Sequence, residues 1–114
     1  MYKYNVKGVK KVVDGDTVDL EIDLGFNVVI LQRIRLKGIN APETRTLDLS
    51  EKEKGIVAKE WLQKQLEDSN AKWVIETTKE DKYGRMLGVL YRVGEFVSLN
   101  ESMILGGYAK PYLP

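Results

Sequence analysis

A period of two, repeated from one end of the chain to the other, constrains the fold most. Val18, Leu20 and Ile22 alternate with Asp19, Glu21 and Asp23, and Asp14-Gly15 separates them from an earlier strand-like run over residues 4–13. Apolar residues at alternate positions are what a half-buried strand presents, and Asp-Gly between two such runs marks a hairpin. Leu24-Gly25-Phe26-Asn27 reads as a second turn, leading into an apolar stretch over residues 28–31. Ile34 and Leu36 continue that strand against Arg33, Arg35 and Lys37, so one face can be buried while the other carries three positive charges. Gly38 permits a bend, and Pro42 ends any ladder because it has no N–H to donate. The pattern predicts that Arg35, Asn40 and Glu43 converge at one end of the sheet.

Ser50-Glu51-Lys52-Glu53 has the spacing of a capping box and predicts a helix start at Ser50. Val57, Ala58, Trp61, Leu62, Gln65 and Leu66 then recur at helical spacing, with Trp61 expected in the core, and Asp68-Ser69-Asn70 ends the run. Residues 72–78 read as a strand, residues 79–81 as a charged turn, and Lys82-Tyr83-Gly84-Arg85 leads into a strand over residues 86–92. After a turn at Gly94-Glu95, Ser98 and Glu101 repeat the cap spacing and predict a second helix that stops at Gly106-Gly107. Residues 108–114 read as an extended tail. About five strands, a main helix between the third and fourth, and a short C-terminal helix predict a mainly β chain of the α+β class. The expected architecture is a five-stranded OB-type Greek-key barrel formed by a single domain over residues 1–114. A mixed α+β roll fits the same string.

Composition removes several kinds of chemistry. The chain contains no cysteine and no histidine. Disulfides, thiolate nucleophiles, cysteine- or histidine-ligated zinc, and histidine general bases are therefore excluded. An enzyme built from this chain works with Asp, Glu, Arg, Lys and Tyr, with or without a hard cation. Asp14 and Asp16 on one tight turn are candidate ligands for such a cation, although Asp14-Gly15 alone is also an ordinary turn. A formal net charge of +1 means that any nucleic-acid contact comes from a local basic cluster and not from the global field. The sequence shows no membrane-spanning run and no signal-peptide pattern at its start, so the expectation for a complete chain is a cytoplasmic monomer.

Four motifs occur in one order along nearly the whole chain: Asp14-Gly15-Asp16-Thr17; Arg35 through Pro42-Glu43; Asp81-Lys82-Tyr83-Gly84-Arg85; and Asn100-Glu101 with Gly107-Tyr108-Ala109-Lys110. In this the chain resembles the staphylococcal nuclease (thermonuclease) family. The resemblance implies a calcium-dependent nuclease on an OB barrel, hydrolysing phosphodiester bonds of DNA and RNA to leave 3′-phosphates. By motif, Asp16 matches a metal ligand, Asn40 stands where the family has a second carboxylate, and Ala41 would lend its backbone carbonyl. Arg35 and Arg85 match the phosphate-binding arginines, and Glu43 the residue that activates or orients water. Only Arg35, not Arg33, stands five residues before Asn40. Tyr83 matches an aromatic residue that helps hold the nucleotide, with Lys82 beside it, and Tyr112 lies one position from a family phosphate-contacting tyrosine.

The chemistry asked of these residue types stands without the name. Hydroxide attack on a phosphodiester builds charge on the non-bridging oxygens, and two forked guanidiniums strengthen their hold as that charge grows. A bound Ca²⁺, or another hard divalent ion, adds Lewis-acid stabilisation. Without histidine, a carboxylate such as Glu43 is the natural base. Three departures from the family pattern stand out. Asn40 removes one negative charge from the metal shell, which is expected to weaken calcium binding or alter the choice of ion. The hairpin between Thr17 and Arg35 is longer than in the family's best-known member, and the third helix of longer members is missing. Two other functions fit parts of the same string. One is a catalytically silent OB module that binds single strands through Tyr83, Tyr108, Tyr112 and Lys82. The other is a protein-interaction module, which needs none of Asp16, Arg35, Glu43 and Arg85 as a set.

Overall fold

A computed structural model of the chain describes residues 2–78 and 80–112. Lys79 of the expected charged turn and the last two residues of the expected tail lie outside the described residues. Five strands close a barrel in the order β1-β2-β3-β6-β5, where β1 is Tyr2–Asp14, β2 Thr17–Asp23, β3 Val29–Leu36, β5 Trp73–Thr77 and β6 Met86–Arg92. All neighbours run antiparallel except β3 and β6, which pair in parallel through Ile34, Arg35 and Leu36 against Met86, Leu87 and Gly88. The expected α+β barrel with its main helix between the third and fourth barrel strands is the observed fold. Outside the barrel, β4 (Ile39–Asn40) pairs with β7 (Lys110–Pro111), so the expected extended tail is strand over those two residues.

Closure depends on β1. It pairs with β5 through its first residues and with β2 along the rest, with register shifts between Val6 and Gly8, Val9 and Lys11, and Val12 and Asp14. Each irregularity adds local twist and bend, which lets one long strand serve two sides of a small barrel. The period of two in β2 is fully realised: Val18, Leu20 and Ile22 are buried, and the acidic residues between them are only partly so. Ile34 and Leu36 from β3, Ile75 from β5 and Leu90 from β6 complete the barrel interior.

Helix α1 (Leu49–Leu66) covers the barrel beside β1 with Gly55, Ala58, Leu62 and Leu66. Two expectations about it are corrected. The N-cap is Asp48, whose Oδ1 accepts from the Ser50 and Glu51 amides at 3.0 and 3.3 Å, so Ser50 lies in the first turn and is not the cap. A carboxylate at this position also complements the helix dipole. The buried stripe begins at Gly55, while Val57 is exposed, because the helix approaches the loop after β4 too closely for a side chain. A Cβ on Gly55 would come within 2.4 Å of the Glu43 carbonyl oxygen and 2.8 Å of that of Pro42. Trp61 is half-buried and stacks on Tyr108 with ring centroids 4.9 Å apart, as a packing residue. Helix α2 (Leu99–Leu105) begins behind Ser98, whose hydroxyl accepts from the Glu101 amide at 3.0 Å, as its cap spacing predicts.

Candidate active site

The Gly15-Asp16 turn, the end of β3 and β4 meet at one end of the barrel. Gly15 is required there by space: a Cβ would lie 2.9 Å from the Cβ atoms of both Ala41 and Ala58. The hairpin, the β4 segment and α1 can therefore touch. Within this junction the Asp16 carboxylate accepts from the Ala41 amide at 2.9 Å and from the Thr17 hydroxyl at 3.0 Å. Asp14, on the same turn, accepts from the Thr44 hydroxyl at 2.5 Å and ties down the loop that follows Glu43.

Arg35 is the unexpected element. Periodicity puts it on a solvated basic face of β3, yet it is only 9% exposed, while Arg33 on the same face remains exposed. Its Nη1 donates to the Leu36 carbonyl at 2.9 Å, and its Nη2 lies 3.4 Å from Asn40 Oδ1 and 3.5 Å from Asp16 Oδ2. A buried cation needs compensation, and one carboxylate, one amide oxygen and one carbonyl supply it. Arg33 is neutralised separately by Asp19, at 2.8 and 3.1 Å. That hydrogen bond, reinforced by the guanidinium charge, holds the Asp19 carboxyl below its usual pKa.

The expected convergence of Arg35 with Asn40 is observed. Glu43 is exposed on the loop two residues beyond Ala41, with its backbone braced against Gly55. Arg35, Lys82, Tyr83, Arg85 and Tyr112 line one cavity of about 530 Å³, with Lys37 and Asp81 at its wall. That volume lies in the range of small-ligand sites, roughly 300–1,000 Å³. Tyr83 is 68% exposed and has two cations close to its ring, with Lys82 Nζ and Arg85 Cζ each 5.2 Å from the centroid. Tyr112 lies against Arg35, 6.0 Å from ring centroid to Cζ, and its amide donates to the Gly38 carbonyl at 2.9 Å. Gly38 holds φ at +80°, which lets the chain turn back beneath this contact.

Arg85 is held by Asp81, whose Oδ2 accepts from Arg85 Nε at 2.6 Å and whose Oδ1 accepts from the Tyr83 and Arg85 amides at 2.9 Å. Desolvation pushes the Asp81 carboxyl up, but the hydrogen bonds from the Arg85 amide and guanidinium and from the Tyr83 amide outweigh it. The pKa ends below the ordinary value.

Asp16, Asn40 and the Ala41 carbonyl offer oxygen donors, the kind that would suit Ca²⁺ or Mg²⁺ and not a soft metal. They carry a single formal charge, and among the described residues no group of three or more His, Cys, Asp or Glu is gathered in metal-holding geometry. By donor type these residues would fit a hard divalent ion.

One residue that organises the site was named in the sequence only as part of a family motif, with no role given to it. Asn100, at the start of α2, is 4% exposed; its Nδ2 donates to the carbonyls of Lys37 (2.8 Å) and Gly88 (3.1 Å), and its Oδ1 accepts from the Leu90 amide at 3.1 Å. It fastens the parallel β3–β6 junction immediately after Arg35. The signal for it in the sequence was its place in the Asn100-Glu101 motif, which does not say what the side chain holds.

Residues 33–113 match the model for staphylococcal nuclease homologues. The chain belongs to the staphylococcal nuclease family. It is 31% identical to the thermonuclease of Staphylococcus intermedius over 83 residues, covering 73% of this chain and 46% of that protein. An uncharacterized protein of Methanocaldococcus jannaschii is 33% identical over 127 residues, covering 92% of this chain and 58% of its own length. An uncharacterized pXO1 protein of Bacillus anthracis is 32% identical over 115 residues, covering 94% and 50%. The chain therefore spans about half the length of the relatives it matches.

Proposed function

We propose that this chain is a hard-metal-assisted nuclease that hydrolyses phosphodiester bonds of DNA or RNA, with flexible single strands as its preferred substrate. The observation that carries the reading is Arg35, a buried guanidinium at the wall of a cavity that Arg85 also lines. Arginine is buried at a cost, and a cavity flanked by two forked cations suits a phosphodiester whose non-bridging oxygens gain charge in the transition state. Arg35 and Arg85 bind those oxygens. Tyr83, with Lys82, offers a stacking face for the neighbouring base, and Tyr112 backs Arg35. Glu43, exposed on the loop two residues beyond Ala41, takes the water's proton or orients the water. Asp16, Asn40 and the Ala41 carbonyl would hold the ion, which when bound supplies Lewis-acid stabilisation of the phosphate charge. The products expected on this reading end in 3′-phosphates.

Near-neutral charge supports the single-strand preference, since tight duplex grip draws on many phosphate contacts. Equal cleavage of single- and double-stranded DNA at physiological salt would count against it.

A silent module that binds single strands has one observation in its favour: the Asp16 oxygens already accept from Ala41 and Thr17, and Asn40 brings no charge. The two readings part in one experiment. Labelled single-stranded DNA is incubated with calcium, with magnesium and with chelator, for the unmodified chain, Glu43→Gln and Arg35→Ala. The nuclease gives divalent-dependent cutting that collapses in both variants, while Glu43→Gln still binds. Binding without cutting under any ion establishes the silent module.

A further inference from the structure

The β2–β3 hairpin extends beyond the barrel, and its outer strand is left half-paired. β3 pairs with β2 from Val29 to Arg35, but with β6 only from Ile34 onward. Among the described residues, no strand pairs with β3 on that side before Ile34. The phase of the ladder follows from its ends: the Leu36 amide donates to Asp16, the Leu24 amide donates to Val28, and the Lys37 amide points the other way, to Gly88. Even-numbered residues of β3 thus face β2, and the amides and carbonyls of Val29, Leu31 and Arg33 face outward. The Arg33 carbonyl is satisfied by Gln32 Nε2 at 3.2 Å. The outward groups of Val29 and Leu31 form an open edge.

Among the described residues, that edge carries none of the usual protection. Natural edge strands are blunted by charges, proline or a covering element. Here the nine residues between Asp23 and Arg33 include no charge and no proline. Val28, Val29, Ile30 and Leu31 are all exposed, Leu31 by 60%, and Phe26 at the turn is fully exposed.

We infer that this edge pairs with the same edge of a second copy of the chain, in antiparallel register about a two-fold axis at Ile30. The register is self-complementary. Val29 lies opposite Leu31 of the second copy, Val28 opposite Gln32, and Ile30 opposite Ile30. The two Val29–Leu31 pairs exchange the four hydrogen bonds that the open edge lacks. No charge meets a like charge, and the paired stretch stops before Arg33, where β6 and the Asp81–Arg85 loop begin. A peptide of other sequence would satisfy the same backbone groups, but only a second copy is guaranteed to bring an equally apolar, uncharged strand in this register. Four partly exposed side chains fall well short of the roughly 800 Å² per partner of a standard interface, so the association is a concentration-dependent equilibrium. It replaces the monomer expected from composition and is independent of the nuclease reading.

The chain has no native thiol, so a single introduced cysteine reports one contact. Non-hydrogen-bonded antiparallel partners have Cα atoms about 4.5 Å apart, inside the roughly 4.4–6.8 Å that a disulfide spans. Under mild diamide, Ile30→Cys is expected to form a covalent dimer at least tenfold faster than Leu47→Cys, a control at a fully exposed position elsewhere. Sedimentation equilibrium of the unmodified chain should give an average mass that climbs toward the dimer with concentration, and Leu31→Lys should return it to the monomer. Monomer mass at every concentration, with Ile30→Cys crosslinking no faster than the control, overturns the proposal. A dimer unaffected by Leu31→Lys also overturns it. So does cosedimentation of a monomeric chain with phosphatidylcholine vesicles, which would assign the apolar edge to a lipid surface.

Discussion

Arg35 reaches the cavity from inside the barrel wall, anchored to Leu36, Asn40 and Asp16, whereas Arg85 reaches it from a loop and is anchored to Asp81. The side chain of Arg35 is 10% exposed and that of Arg85 is 48% exposed. The same guanidinium chemistry is thus presented once as a fixed group and once as a latched one. A fixed donor loses little freedom when charge develops on a substrate, and it also supports the fold around it. A latched donor can follow a flexible substrate at the cost of some ordering on binding.

The comparison breaks most sharply on paired substitutions. Arg35→Ala is expected to lower turnover by about 10²–10³-fold. It should also destabilise the fold by on the order of 2–4 kcal/mol, because Asp16 is left buried without its cation. Arg85→Ala should match the loss of turnover but shift stability by less than about 1 kcal/mol, since the guanidinium side of its ion pair is half-exposed. Denaturant melts alongside single-turnover cleavage test both. Equal stability losses would mean that the fixed-versus-latched distinction is wrong. Asn100→Leu sharpens the same point from behind Arg35. It deprives the Lys37 and Gly88 carbonyls and the Leu90 amide of their partner, which should cost on the order of 3 kcal/mol. Turnover measured well below the melting temperature should fall less than in Arg35→Ala.

Asn40 touches the fixed side only. Replacing it by Asp restores a second charge among the hard donors and gives Arg35 a stronger partner. Calcium affinity, read by titration calorimetry, is expected to tighten by about tenfold or more, because ligand charge tunes such sites over decades. No change in affinity would remove Asn40 from the ligand set.

How much of this was legible in the sequence follows the same division. Strands announced themselves where one face is buried, as in β2, because a period of two is a direct imprint of burial. The capped start of α2 was equally plain from Ser98 and Glu101. Arg35 was legible as a motif residue but not as a buried one: alternation puts it beside Arg33, and only the closing of β4 and the Gly15–Asp16 turn over it separates their environments. The cap of α1 was misplaced because Asp48 and Ser50 both suit that role, and local spacing does not say where a helix meets its barrel. Asn100 was legible as a motif residue, but its structural role was not, for a related reason. Its partners lie 10 to 63 residues away in sequence, and no local pattern encodes a contact made by topology.

The smallest expected effect belongs to the latch. Asp81 has a folded-state pKa below its ordinary value of 3.8, so its ionised form is favoured by folding. The sign follows: its contribution is fully present above about pH 4, and it is lost as pH falls from there through the lower folded value. Protonation removes the acceptor charge facing Arg85 Nε and loosens the Tyr83 and Arg85 amides from the same carboxyl. Amide exchange of Tyr83 and Arg85, compared between pH 6 and pH 3 after correction for intrinsic rates, should lose protection. The Ala41 amide, bonded to the buried Asp16, serves as the reference from the fixed side. In Asp81→Asn the low protection should already be present at pH 6 and should change little on acidification. If Tyr83 and Arg85 keep their protection in that variant, the carboxylate is not what holds the loop, and Arg85 belongs with Arg35 among the fixed groups.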